Sequence, residues 1–167
     1  MEGAMTQLWP GGPLYDGEGA FPVTTDSVLL ADFVRVKPGM RVLELGCGAG
    51  IISLLLLVRE PGVRLEAVEI DSRAAARARD NFAANGLEAG VVCGDLRDAS
   101  CLPPANSCSL VVCNPPYFAA NSGKQASDAR RAIARSEGGC TFAEVCAAAA
   151  RSLKQGGRFA FVHRAER

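Results

Sequence analysis

Apolar positions along this chain switch between two spacings, and the switches predict its elements. Arg41–Leu45, with Val42, Leu43 and Leu45, reads as an apolar strand. The glycine turn Gly46–Gly50 follows and opens a helix running through Leu57. Val63–Glu69 predicts a second strand. Ser72 caps a helix that runs to Ala84 and stops at Asn85-Gly86, a C-terminal pair. Ala89–Cys93 and Ser109–Cys113 read as short strands, the latter ended by Asn114-Pro115. A basic segment around Ser127–Arg135 reads as helical. Thr141-Phe142-Ala143-Glu144 fits a capping box and starts a helix that ends at Gly156-Gly157. Arg158–His163 is the last strand. Its Phe159 and Phe161 face one side, Ala160 and Val162 the other, as in a buried strand covered by helices. Upstream, Thr25-Asp26-Ser27 caps an apolar-periodic helix through Val28, Leu29, Ala31 and Phe33, which ends before Pro38-Gly39. Residues 1–20 carry Pro10-Gly11-Gly12-Pro13 and read as a loose arm; residues 21–167 form the domain. Strand–helix alternation at this spacing predicts an α/β fold, a mostly parallel sheet with helices on both faces.

Composition narrows the field. The chain has 167 residues, 49% of them hydrophobic and 22% charged, a balance that builds a core and excludes a disordered chain. Its longest apolar run, Ile51–Val58, is interrupted by Ser53 and is too short to span a bilayer. Glu2 precedes any basic residue and no apolar segment follows, so no secretory signal is expected. Seven cysteines without a CxxC pair and a single histidine offer little for a zinc site. The expectation is a cytoplasmic protein with reduced thiols, no metal and no membrane partner. Zero net charge hides an asymmetry: 9 Lys+Arg against 14 Asp+Glu up to Phe118, then 9 against 4. Solvated helix faces account for this as well as a basic flank facing a polyanion does.

Four motifs carry chemistry. In Leu43-Glu44-Leu45-Gly46-Cys47-Gly48-Ala49-Gly50, glycines allow a sharp turn and close approach of a ligand, and the following helix N-terminus favours a negative group. The spacing is G-x-G-x-G. The dinucleotide fingerprint G-x-G-x-x-G would need glycine where Ile51 stands. In Val68-Glu69-Ile70-Asp71, Glu69 can take both hydroxyls of a ribose and Ile70 can pack on an adenine face, while Asp71 is left to the helix N-terminus. Gly94-Asp95-Leu96 lies at the carboxyl edge, where open α/β sheets bind ligands, and Asp95 can accept from an adenine amino group. In Asn114-Pro115-Pro116-Tyr117, two prolines fix the backbone beside an amide and an aromatic ring. The nitrogen of an amide or of an exocyclic amine is a poor nucleophile. The Asn114 side-chain oxygen and the Pro115 carbonyl can hold its hydrogens, and Tyr117 can stack on its plane.

Taken together these motifs resemble the class I S-adenosylmethionine-dependent methyltransferases. The phrasing Thr24-Thr25-Asp26-Ser27-Val28-Leu29-Leu30-Ala31, then GCGAGIISLLL, VEID, GDL and NPPY, is similar to the bacterial tRNA (valine isoacceptor) adenine-N6 methyltransferase family over roughly residues 20–163. The resemblance implies a Rossmann-like three-layer sandwich. It implies S-adenosyl-L-methionine as cofactor, S-adenosyl-L-homocysteine as product, and N6 of a tRNA adenine as acceptor. It places the cofactor on Thr25, Asp26, Glu44, Gly46, Cys47, Gly48, Gly50, Glu69, Ile70, Asp95, Leu96 and Asn114. Asn114, Pro115, Pro116 and Tyr117 hold the acceptor, and Lys124, Arg130, Arg131 and Arg135 are the expected RNA contacts. The same Asn-Pro-Pro-Tyr motif occurs in the glutamine-N5 methyltransferases of release factors, a second reading; a cofactor-binding fragment without turnover is a third. The fold normally closes with an antiparallel strand pair after the strand matching Arg158–His163. The sequence stops at Arg167, so the expectation is a domain lacking that pair, with an edge at Arg158–His163 open to self-association.

Overall fold

The computed structural model describes residues 5–17, 22–115 and 140–163. Its centre is a five-stranded sheet whose neighbouring strands all run parallel. The strands are β3 (Arg41–Leu45), β4 (Arg64–Glu69), β5 (Gly90–Cys93), β6 (Cys108–Cys113) and β7 (Leu153–Phe161). They lie in the order β5-β4-β3-β6-β7. The order reverses at β3: the chain winds outward through β4 and β5, then crosses back to β6. Open α/β sheets bind ligands at such a point, outside the carboxyl ends of the strands.

Helices cover both faces because the central strands are apolar on both. Val42, Ala67, Leu110 and Val112 point into one core with α1 (Thr25–Phe33), α2 (Ile51–Arg59) and α3 (Ser72–Ala84). Leu43, Leu45, Val68 and Val111 point into the other, under α4 (Phe142–Ser152). Alternate residues of one strand serve opposite layers, as the period of two requires. Among the described residues no helix is long and apolar enough to cross a membrane, and all seven cysteines are free.

Four expectations change. The first seventeen residues are no loose arm where they are described: Thr6–Gln7 (β1) pairs antiparallel with Leu14–Tyr15 (β2), and this hairpin is bound to α3. Helix α1 buries Ser27, Leu30 and Ala31, whereas Val28, Leu29 and Phe33 are exposed. Its inner stripe is set by packing on α2, whose Arg59 donates to the carbonyls of Ala31 and Val34 at 2.7 and 2.8 Å. The cap of α3 is not Ser72 but Asp71, to which the reading of Val68–Asp71 already left that helix end: it accepts from the amides of Arg73 and Ala74, and Ser72 is the first helical residue. Finally, α4 has the capping box at Thr141 and Glu144 but stops at Ser152, and Leu153 already belongs to β7. Gly156-Gly157 does not end a helix. It forms an irregularity within β7, whose pairing jumps from Cys108↔Leu153 to Leu110↔Arg158.

Strand β7 is also less buried than its sequence implies, with Phe161 40% exposed. It is the outermost strand of the sheet among the described residues, so one side lacks a neighbour. The predicted facing holds. Phe159 and Phe161 stack at 4.9 Å, and Phe161 meets Phe142 of α4 at the same distance. Ala160 and Val162 pack on the opposite core.

Candidate functional site at the carboxyl edge of the sheet

The turn after β3 is built by two glycines with different tasks. Gly50 is the N-cap of α2 with φ 81°, and a Cβ there would lie 2.8 Å from Cζ of Phe82. Its bareness lets α3 close on the turn. Gly46 has φ 66° and nothing within 4 Å of the position a Cβ would take. Space therefore lies open over the turn, as a ligand that rests on backbone requires.

Acidic side chains tie this turn to its neighbours. One oxygen of Glu69 accepts from the amide of Gly48 at 2.8 Å, and the other from the amide of Asp71 at 2.9 Å. A carboxylate offers about four lone-pair directions, so each oxygen keeps acceptor capacity for a hydroxyl. Glu69 thus stands at the carboxyl edge with acceptor capacity to spare, and Ile70 beside it is 43% exposed. Glu44 is placed otherwise. It is buried, and its Oε2 accepts from both the amide (3.0 Å) and the hydroxyl of Ser53 on α2. Burial, and then the Glu69 charge, push its carboxyl up to about 7 against the Ser53 bonds. Glu44 braces the start of α2. Cys47 and Ala49 are buried in the turn.

Asp95 stands after β5, but Arg97 already holds its carboxylate, with Nε 2.9 Å from both oxygens. The guanidinium keeps that carboxyl below the usual range. Only the lone pairs that Arg97 leaves on Asp95 are free to accept from any further donor. Leu96 packs into the core beneath α4.

Asn114 follows β6, which pairs with β3 on the side away from β4. Its amide nitrogen donates to the hydroxyl of Ser27 at 3.0 Å. That hydroxyl lies 3.1 Å from the hydroxyl of Thr24, and Thr24 accepts the Ser27 amide as the N-cap of α1. The NH2 end of Asn114 is occupied, leaving its carbonyl oxygen as the acceptor. Of the expected Thr25–Asp26 pair, neither makes this contact; Ser27 does, and it carried no sequence signal beyond a helix start. Pro115 is buried. Pro116, Tyr117, Lys124, Arg130, Arg131 and Arg135 lie outside the described residues.

Sequence reasoning also missed Asn81 and Tyr15. Asn81 is fully buried on α3. It accepts from the Asp16 amide (2.8 Å) and donates to the Asp16 carbonyl (3.0 Å) and to the Ala49 carbonyl (2.9 Å). Asn85, one helical turn on, pairs with the backbone of Leu14 in the same manner, and Arg77 forms an ion pair with buried Asp16. The glycine turn, α3 and the N-terminal hairpin are therefore one hydrogen-bonded unit. Among the described residues no cluster of His, Cys, Asp and Glu has metal-binding geometry. A surface groove at the amino ends of β4 and β5, between Arg64 and Arg79, shares no residue with this set.

Comparison with known proteins fits this placement. The profile of the methyltransferase small domain matches residues 22–167. A tRNA1(Val) (adenine(37)-N6)-methyltransferase of Aeromonas hydrophila is 40% identical over 144 residues, covering 86% of this chain and 59% of that protein. The protein of the same name from Vibrio campbellii is 33% identical over 122 residues, 73% of this chain and 50% of the relative. The chain thus spans little more than half the length of these curated relatives. Among solved structures, TrmN from Thermus thermophilus superposes with a TM-score of 0.60 at 23% identity, over 81% of this chain and 36% of that one. A methyltransferase from Thiobacillus denitrificans in complex with S-adenosyl-L-homocysteine gives 0.58 at 17% identity, over 83% and 48%. These likenesses establish the fold.

Proposed function

The chain belongs to the methyltransferase small domain family, and from that premise we propose that it transfers a methyl group from S-adenosylmethionine to N6 of an adenine in tRNA. The observation that carries the reading is the anchored amide of Asn114. Its nitrogen is held by Ser27, so its oxygen is the end available to an amine. The residues around the turn suit the cofactor: the open face of Gly46, and a Glu69 carboxylate that is positioned by two backbone amides yet keeps acceptor capacity. When bound, the cofactor supplies a sulfonium-linked methyl group as electrophile.

The protein's part is positioning. Asn114 Oδ1 accepts one hydrogen of the exocyclic amine and the Pro115 carbonyl the other. The nitrogen lone pair is thereby turned toward the methyl group, without an activated base. The methylated nitrogen then loses its extra proton to water. Gly46–Gly48 and Asn114 directly follow adjacent strands, β3 and β6, which supports a cofactor and an acceptor held side by side. An adenine reaches this place only by leaving its stack. The names of the curated relatives support tRNA as the acceptor. The basic stretch holding Lys124, Arg130, Arg131 and Arg135 is its proposed contact.

The test is transfer of labelled methyl to tRNA, with release factor as the competing acceptor and N6-methyladenosine as the product sought. Asn114→Ala should lower transfer at least about a hundred-fold, a loss of the size seen when a positioned polar group is removed. Cofactor affinity should stay near the parent's. Labelling of release factor alone would replace the acceptor. Equal loss of cofactor binding in Asn114→Ala would move that residue to the cofactor.

A further inference from the structure

Among the described residues, one buried side-chain polar atom has no hydrogen-bond partner: the hydroxyl of Tyr15. The ring is 4% exposed and belongs to the same buried cluster as Cys47 and Ala49 of the glycine turn. Leaving a buried hydroxyl without a partner is costly, and native structures rarely tolerate it without a reason. Here the position is also deliberately held. The next residue, Asp16, is pinned through both backbone groups to Asn81, which grips the turn at Ala49. Tyr15 therefore cannot drift away from the turn to find water.

The place of the orphan in the sheet order says what it lacks. Glu69, at the end of β4, marks the ribose side of the site. Asn114, at the end of β6, marks the acceptor side. β3 and its turn lie between them, so on the cofactor reading the sulfur-bearing end of the cofactor, with its amino-acid group, would lie over this turn. Tyr15 is buried in one cluster with Cys47 and Ala49 of that turn, close enough for the Glu44 charge to act on its phenol. Burial first, then Glu44 and Asp16, push the phenol up to about 12, so it is an O–H donor at any working pH. Of the groups on such a cofactor, the amino-acid carboxylate is the strong acceptor for a lone phenolic donor.

We propose that Tyr15 is a cofactor-binding residue whose hydroxyl donates to the amino-acid carboxylate of the S-adenosyl group, delivered there by the N-terminal hairpin. The inference rests on the cofactor reading above.

Calorimetric titration of the full chain with two probes tests it. S-adenosyl-L-homocysteine carries the amino-acid end, and 5′-methylthioadenosine lacks it but keeps adenine, ribose and sulfur. Tyr15→Phe should weaken S-adenosylhomocysteine about ten-fold or more, the worth of a hydrogen bond to a charged group. It should leave 5′-methylthioadenosine unchanged. The free Tyr15→Phe protein should unfold at no lower temperature than the parent, because the hydroxyl removed had no partner. Parent affinity for S-adenosylhomocysteine, an equal loss for both probes, or a lowered unfolding temperature would each overturn the assignment. Glu69→Ala is the reference variant and should weaken both probes. If it weakens neither, the cofactor reading itself fails; if it weakens both while Tyr15→Phe matches the parent, only the Tyr15 inference fails.

Discussion

Glu44 is a carboxyl group sealed in the core, and its protonation couples stability to pH. Its folded value, about 7, lies above the ordinary value of 4.5, with burial the largest cause. The folded state therefore binds a proton more tightly than the unfolded chain does. The contribution of this group is fully present below about pH 4.5 and is lost as pH rises through about 7. Glu44→Gln keeps the contacts to Ser53 but cannot ionise. Denaturant midpoints should show the parent losing stability relative to Glu44→Gln between about pH 4.5 and 7, and the gap should be level above about pH 8. A gap constant across the whole range would mean that Glu44 binds its proton no more tightly in the folded state than in the unfolded chain. At this scale the sequence was readable where the residue type implied the chemistry. Glu69 and Asn114 stood out as candidates because a carboxylate and an amide at strand ends have few other uses. Tyr15 was not, since a tyrosine between glycine-rich segments is unremarkable until its hydroxyl proves to lack a partner. Asp95 was assigned without sight of Arg97, two residues on, which already grips it.

Among the elements, strands and long helices were legible because their periodicity is set by which face is buried. β3, β4, α2 and α3 all appear within about two residues of expectation, the ordinary uncertainty of element ends. Missed features depend on tertiary pairing. The hairpin β1–β2 is only two residues per strand and is held by side chains of α3 that no local pattern announces. α4 ends early because Leu153 pairs with Cys108, a long-range contact. The coupling of hairpin to helix is itself testable. Asn81→Ala removes three hydrogen bonds and leaves buried backbone groups of Asp16 and Ala49 unpaired, at a cost of about 3 kcal/mol. Hydrogen exchange should show the Asp16 amide losing protection well before β3 does. Uniform loss over the whole domain would show that the hairpin is not a separable unit.

For the molecule as a whole, the mostly parallel sheet with helices on both faces was legible in the alternation of strands and helices, and the open edge at the last strand was an expectation from the family resemblance; the strand order β5-β4-β3-β6-β7 is set by long-range pairing that no local pattern announces. Among the described residues, that edge carries Phe161 on one face and has no neighbouring strand along its outer side, an arrangement that favours pairing with a second chain. Sedimentation over a concentration series should show association. A strict monomer, with the outward amides of β7 strongly protected from exchange, would show that another segment covers the edge. A different consequence follows from the hydrogen bonds that tie Leu14 to Asn85, 71 residues apart, and Asp16 to Asn81, 65 apart. During synthesis the hairpin is made well before α3, yet it has nothing to dock on until α3 has emerged and packed. At about 5–20 residues per second, it waits several seconds for that partner. Only when α3 is in place does the hairpin settle and Tyr15 reach the glycine turn.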